Sequence, residues 1–295
     1  MECIAEYNAF GPWIDEVRTV DDLPRLYRDA GIDPASQRLV LKVPREIARR
    51  DATPQMHLYD SLIIVGQDEL LVLARTQDSY TTMRTPFEDI VALENSIALL
   101  DGRLVVHTAD GRTISVTYNG AAGAPVRSLV QLLRELYLPR RSDATAEVVE
   151  QDPPQLGLGR KDVDLARSYE LVLLSEPGMR LVSAIPRRIV TPRGNNFRRA
   201  LNLAWPVTLQ ASIMISDGRE VQILHRRRWF TRPGDNTLSK GRTILPMSRI
   251  RTVDVDQHAQ YEKLYLVSIR TPGTTVRFPT PVGSESSEAL AQLSN

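Results

Sequence analysis

Short apolar and β-branched runs, separated by turn residues, dominate the chain from Arg38 onward. This spacing predicts antiparallel strands joined by hairpins. The runs 60–65 and 69–75 flank Gly66, which predicts a tight turn between them. In the run 112–118 apolar and hydroxyl residues alternate, as expected of a sheet with one wet face. The other strands predicted in this half are 39–47, 81–87, 90–93, 97–100 and 103–108.

A helical period replaces the strand period at three places. Residues 126–138 carry a broad apolar face and end before Pro139. Residues 164–175 have the same spacing. A shorter helix is predicted at 21–30, with a cap at Asp21 or Asp22 and a stop at Gly31.

The N-terminal extension mixes aromatic residues with a Gly-Pro break. We expect its apolar side chains to pack against the first group of strands, with a partner-binding arm as the alternative. These side chains are Tyr7, Phe10, Trp13 and Ile14.

The sequence RLVLKVPREI at 38–47 returns at 180–189 as RLVSAIPRRI, with six identical positions. An echo at this distance predicts an internal duplication. Strand-like runs follow the second copy in the same order, at 211–215, 220–226, 250–255, 263–269 and 274–278, and a helix is predicted at 286–293. The predicted divisions are an extension at 1–36, a first domain at 37–140, a linker at 141–162 and a second domain at 163–295 with its preceding helix.

The chain has 295 residues, 42% of them hydrophobic and 25% charged, as is typical of a globular protein. It has no long apolar run and no basic segment leading into one, so we expect a cytoplasmic protein. Cys3 has no second cysteine with which to form a disulfide. The net charge of +1 hides an asymmetry, because Arg180–Arg251 holds 15 basic and three acidic residues. This segment is expected to meet an anionic partner or an acidic part of the protein itself.

About seven strands followed by one amphipathic helix, twice over, resembles tandem bacterial pleckstrin-homology-like (PH-like) domains. The segments that carry the resemblance are 90–93, 104–112 and 126–138, with their counterparts in the second copy. It implies an α+β, mostly β fold of two strongly bent sandwiches or partly open barrels, each ending in a helix. It also implies a binding role, toward phospholipid headgroups, peptides or sister subunits, and supplies no site residue.

Two loops that are longer in the second copy, 191–205 and 230–242, are both basic. With the adjoining run HRRRWF at 225–230, they form the candidate anion or partner site. If 225–230 is an extended strand, Arg226 and Arg228 share one face and Arg227 and Trp229 the other. The alternative is a solvated edge with Trp229 packed inside. The candidate residues are Arg187, Arg188, Arg193, Arg198, Arg199, Arg226, Arg227, Arg228, Trp229 and Arg232.

Asp254, Asp256 and His258 form the most enzyme-like pattern, because alternate residues of a strand share a face and these could ligate a divalent metal. No further cluster completes the set, and no serine or cysteine lies in a nucleophile motif. We therefore predict neither catalysis nor a cofactor, and keep a metal-dependent hydrolase as the weakest alternative.

The sequence thus favours a non-enzymatic binding or scaffolding protein whose second domain presents a basic surface to an acidic protein or a sister subunit. The alternative is peripheral binding to an anionic phospholipid membrane. Nucleic acid is a lesser alternative, because aromatic residues do not interleave regularly with the basic ones.

Overall fold

The computed structural model describes residues 2–138, 156–194, 196–235 and 237–284. It is an α+β fold built mostly from antiparallel strands, and within these ranges no sheet closes into a barrel. None of the helices in the described ranges has the length and apolar character needed to cross a bilayer.

The chain forms two compact units. Unit 1 consists of Met1–Ile90, Leu99–Thr108 and Arg112–Tyr137, and unit 2 of Val91–Ala98, Ala109–Gly111 and the described residues of Leu138–Asn295. The long central strand therefore belongs to unit 2 almost entirely, although the strands on either side of it in sequence belong to unit 1.

Unit 1 begins with a helix, continues through a five-stranded antiparallel sheet in chain order, and closes with a hairpin and a second helix. The predicted turn at Gly66 joins the third and fourth strands. Its helices are α1 (Glu2–Ala9) and α2 (Gly123–Tyr137), and its strands are β1 (Asp15–Glu16), β2 (Leu39–Pro44), β3 (Tyr59–Val65), β4 (Glu69–Thr76), β5 (Ser79–Pro86), β7 (Asp101–Thr108) and β8 (Thr113–Asn119). The central strand β6 (Ile90–Ala98) lies between β5 and β7 in sequence.

One face of the five-stranded sheet packs toward α2 and the hairpin β7–β8. Ile63, Leu70 and Val72 of the sheet, Leu104 and Val106 of β7, Ile114 and Val116 of β8, and Leu129 and Leu133 of α2 line a gap of only about 10 Å³. Packing this close indicates a continuous apolar core.

The opposite face of the same sheet is covered by the N-terminal extension. Phe10 and Ile14 are buried, and Tyr7 packs at the edge of the cluster formed with Leu62 and Leu73. The expected packing of the extension is therefore confirmed for these three residues, whereas Trp13 remains 53% exposed. The predicted helix at 21–30 is a pair of 3-10 turns, Val20–Asp22 and Arg25–Ala30. Its predicted stop at Gly31 is confirmed by a left-handed backbone.

Unit 2 has a main sheet in the order β6-β15-β13-β12-β9, a three-stranded sheet β16-β17-β18, and a small sheet β10-β11-β14. All of the pairs are antiparallel. The elements are α3 (Val163–Ser175), β9 (Arg180–Ile185), β10 (Arg188–Ile189), α4 (Asn196–Ala204), β11 (Thr208–Leu209), β12 (Ser212–Ser216), β13 (Glu220–His225), β14 (Phe230–Thr231), β15 (Ser239–Pro246), β16 (Thr252–Gln257), β17 (Leu264–Thr271) and β18 (Thr274–Pro281).

The main sheet of unit 2 is also buried on both faces. Met214, Ile223 and Leu245 pack with Val267 and Phe278 of the three-stranded sheet. On the other face, α3 places Leu165, Tyr169 and Val172 against Ile213 and Ile215. Helix α3 thus covers unit 2 as the N-terminal extension covers unit 1.

The echo between 38–47 and 180–189 falls on β2 and β9, each of which is the first strand of a four-stranded antiparallel succession. Most of the later predicted strands and the helices α2 and α3 are present with small shifts of their ends, but the runs 90–93 and 97–100 form one strand, β6. Strand β15 was not predicted, and it begins inside the predicted loop 230–242. The predictions for most of the linker and for the helix at 286–293 lie outside the described residues.

Candidate functional site

The two basic loops of unit 2, together with the residues that flank them, meet in the small sheet β10-β11-β14. Arg188 pairs with Leu209, and Leu209 pairs in turn with Phe230, so strands from both loops lie side by side. Val190, Val207 and Leu209 are buried beneath them. Nine arginines and a single acid, Asp235, occupy residues 186–207 and 226–238. We call the surface that these two loops carry the basic face.

Helix α4 lies within the first of these loops, where the sequence pattern did not predict a helix. Its C-terminal neighbour Trp205 donates its indole N–H to the carbonyl of Pro233 in the second loop, at 3.3 Å. The guanidinium of Arg232 lies 5.9 Å from the centre of the Trp205 ring. Trp205 therefore joins the two loops while remaining 52% exposed.

A recess of about 270 Å³ opens beside α4. Arg193, Arg198 and Arg232 contribute guanidinium groups to its lining. The apolar part comes from Pro192, Leu201, Val207 and Tyr261, and the remaining lining residues are Asn202 and Gln260.

An aromatic cluster adjoins the recess. Phe230 lies 4.6 Å from Tyr261 and 5.4 Å from His258, centre to centre. Burial and the positive charge of Arg193 lower the pKa of His258. Burial raises the pKa of Tyr261, with Arg232 opposing the shift. Both arginines act on their neighbours in the direction expected of a locally positive surface.

Arg226, one of the predicted anion-binding residues, is buried and faces inward. It is 3% exposed and forms ion pairs with Asp162, at 3.3 Å, and Asp164. Although burial alone would raise it, the hydrogen bonds and charge of Arg226 hold the pKa of Asp164 below its ordinary value. A guanidinium held by two carboxylates of its own chain is not available to an external anion, so the prediction for Arg226 is corrected.

Arg187 takes part in the same buried network. Its guanidinium donates to Asp162 at 2.9 Å, and the Asp162 side chain is 1% exposed. Because one carboxylate binds both arginines, Arg187 and Arg226 hold the start of α3 to the base of the loops. This is a structural role, and it replaces the anion-binding role predicted for Arg187.

Trp229 is partly buried and packs against the core of unit 2. It stacks on His225 at 4.8 Å and contacts Phe278 of the core. Residues 226–229 are a bend between β13 and β14 and do not form an extended strand, so the predicted alternation of faces is wrong. The alternative in which Trp229 packs inside agrees with this placement.

The remaining predicted residues belong to the basic face and differ in how many contacts they make with the rest of the unit. Arg188, Arg228 and Arg232 are exposed. Arg193 donates to the carbonyl of Tyr261 and to Gln257, and Arg199 pairs with Glu262 at 2.5 Å. Arg198 lines the recess, and the backbone N–H of Arg227 donates to Ser239.

Asp254, Asp256 and His258 do not assemble as metal ligands. Asp254 pairs with Arg270 at 2.6 Å, and His258 packs with Phe230 and Tyr261. Within the described ranges no group of three or more His, Cys, Asp or Glu side chains is placed to hold a metal ion.

The sequence reasoning missed the exposed apolar residues of the basic face. Phe197, Leu203 and Ile189 are 74%, 87% and 67% exposed. Phe197, Leu201 and Trp205 recur at four-residue spacing, which was a signal for a helix inside the loop.

The sequence matches no protein-family model and no curated protein.

Proposed function

We propose that this protein is a non-catalytic binding module made of two PH-like domains, in which the second presents the basic face to an anionic partner. Two successions of antiparallel strands in the same order support the tandem arrangement. An acidic protein or a sister subunit is the partner expected from the sequence, with an anionic phospholipid surface as the alternative.

The exposure of Arg188, Arg228 and Arg232 is the observation that carries the proposal. Arg187 and Arg226 have a structural role, because they form ion pairs with Asp162 and Asp164. The three exposed arginines lie on loops with one acid between them, and exposed guanidinium groups are well suited to carboxylate or phosphate. Such a surface favours association with an anion and gives it a dependence on salt.

Capture from a native lysate tests this proposal, comparing the unaltered protein with the triple variant Arg188→Glu, Arg228→Glu, Arg232→Glu. The matched control is Arg180→Glu, Arg251→Glu, Arg277→Glu, which reverses three exposed charges elsewhere in unit 2. Arg226 is left intact, because its replacement would remove an ion-pair partner from the buried carboxylate of Asp162 and destabilise the protein.

We expect the basic-face variant to lose the captured material, while the control variant retains it. Equal capture by both variants, with unchanged circular dichroism, would overturn the role of the basic face. Repeating the capture at about 0.5 M salt should weaken binding to the unaltered protein, because screening shortens the reach of exposed charges.

A further inference from the structure

Helix α4 is oriented with its apolar side away from the protein. Phe197 is 74% exposed and Leu203 is 87% exposed, and the alanines at 200 and 204 are exposed as well. All nine residues of α4 are described, and none of them is buried. At 100° per residue, 197, 200, 203 and 204 fall on one side of the helix.

The side of α4 that contacts the protein carries the polar side chain of Asn202, next to Leu201 of the recess. The Asn202 side chain donates to the carbonyl of Val190 at 2.9 Å and accepts from the backbone N–H of Val207 at 3.0 Å. Both polar atoms of the Asn202 side-chain amide are therefore hydrogen-bonded to backbone outside the helix. These two bonds hold this side of α4 toward the protein. Arg198, four residues earlier and so on the same side, lines the recess.

This orientation is the reverse of the usual one for a surface helix, which buries its apolar stripe. Single exposed leucines are common on protein surfaces and need no explanation. Here a whole apolar face points outward while an asparagine points inward, so burial of that face does not stabilise α4 within the unit. An outward apolar face of this kind is typical of a binding surface.

The size of this face decides between its occupants. Two large side chains and two alanines fall well short of the roughly 800 Å² per partner of a stable protein interface, which counts against a second copy. An anionic bilayer needs only shallow insertion of such a face.

The surroundings of α4 suit anionic lipid. The sequence contains no acidic residue between Glu176 and Asp217, and Arg188 and Arg198 of this stretch are exposed. Glu262, from outside the stretch, pairs with Arg199. Trp205, at the end of the helix, is half exposed and has its indole N–H satisfied. Aromatic residues of this amphipathic kind are favoured at the level of lipid headgroups.

We propose that the outward face of α4 inserts into the headgroup region of an anionic bilayer, with Phe197 and Leu203 as the inserted side chains. This inference rests on the proposed function, and it names the anionic partner of the basic face as a membrane surface. The exposed arginines supply attraction to phosphate and carboxylate headgroups, and the helix supplies apolar contact.

Co-sedimentation with vesicles tests the proposal, using phosphatidylcholine alone and phosphatidylcholine with about 30% phosphatidylserine. The test variant is Phe197→Ser, Leu203→Ser, which keeps every charge. The matched control is Leu171→Ser, Leu174→Ser, two residues of α3 that are 59% and 81% exposed. All four residues are exposed, so neither variant should unfold the chain, and circular dichroism checks this.

We expect the unaltered protein to sediment with the phosphatidylserine vesicles and to stay in solution with phosphatidylcholine alone. The test variant should partition about 10- to 100-fold less, and the α3 control should match the unaltered protein. No sedimentation of the unaltered protein, or equal sedimentation of test and control variants, would overturn the insertion of α4.

The two proposals fail in different ways. If vesicles are not bound while lysate capture still depends on Arg188, Arg228 and Arg232, the insertion of α4 is overturned and the basic-face proposal stands. If vesicle binding depends on Phe197 and Leu203 but is unaffected by reversing the three arginines, the basic-face proposal is overturned, and with it the identification of the partner of that face as a membrane.

Discussion

The loops that connect the first and second long strands differ sharply between the two units. In unit 1 this loop covers 45–58, and two of its three arginines bind backbone carbonyls of the same unit: Arg45 donates to His57, and Arg49 donates to Tyr7 and Phe10. In unit 2 the loop covers 186–211 and carries β10, α4 and the exposed Arg188. Two arginines therefore hold the first loop to its unit, whereas the longer second loop carries a helix and leaves Arg188 exposed.

The coverings of the main sheets differ in a related way. In unit 1 irregular turns and α1 cover the outer face, and Arg49 helps to hold them through its position 4.1 Å from the Tyr7 ring. In unit 2 a single helix, α3, covers that face and is held by Arg187 and Arg226 through Asp162. Similar successions of strands are thus completed by unrelated segments, each of which is contacted by arginine side chains.

The largest expected effect comes from Arg226→Ala. Removing this guanidinium leaves Asp162 deeply buried with only Arg187 to balance it, and breaking such pairs costs about 3–5 kcal/mol. Urea unfolding would measure the loss. The control Arg228→Ala, at an exposed position, should change stability by less than about 0.5 kcal/mol. A similar small change for both would show that α3 is held by its apolar contacts alone.

Each unit also has a glycine beneath an aromatic or imidazole ring on the neighbouring strand. A Cβ at Gly102 would lie 2.5 Å from the Tyr118 ring, and one at Gly241 would lie 2.6 Å from the His225 ring. We expect Gly102→Ala and Gly241→Ala each to destabilise by about 1–3 kcal/mol, because the ring must move out of a packed position. Thermal unfolding of both variants measures this, and a cost at one position only would mean that the two rings are held differently.

Acid should destabilise the protein through His225. Burial lowers the pKa of this imidazole, which lies between the Arg226 carbonyl at 2.7 Å and the Thr243 hydroxyl at 3.0 Å. Its unfolded form takes up a proton more readily, so stability present above pH 6.5 falls as the pH drops below that value. Unfolding midpoints at pH 8 and pH 5.5 should differ less in His225→Gln. An unchanged pH dependence in that variant would exclude His225 as the source.

The smallest expected effect concerns one turn in each unit. Gln77 between β4 and β5, and Lys263 before β17, have positive φ angles of 59° and 55°. Glycine adopts this backbone without steric strain, so Gln77→Gly and Lys263→Gly should each stabilise by up to about 1 kcal/mol. Calorimetry resolves such a shift, and destabilisation at either position would show that its side chain makes a compensating contact.

Much of the fold was predictable because the signals were local. The β-rich runs, the turn at Gly66 and the helical spacing of α2 and α3 depend on residues close together in sequence. The echo between β2 and β9 was equally visible in the sequence. The site was less predictable. Runs of arginine look alike whether they face water or a buried carboxylate, and the acids that bind Arg226 lie more than 60 residues away.

The sequence by itself determined the strand-rich class, the echo between β2 and β9 and the concentration of positive charge after residue 180, because these follow from periodicity, repetition and composition. Only the tertiary structure decided which arginines form ion pairs with buried carboxylates and which are exposed to solvent. It also decided that α4 turns its apolar side outward, since that depends on Asn202 reaching the backbone of Val190 and Val207. Such choices rest on contacts between segments, and no local pattern encodes them.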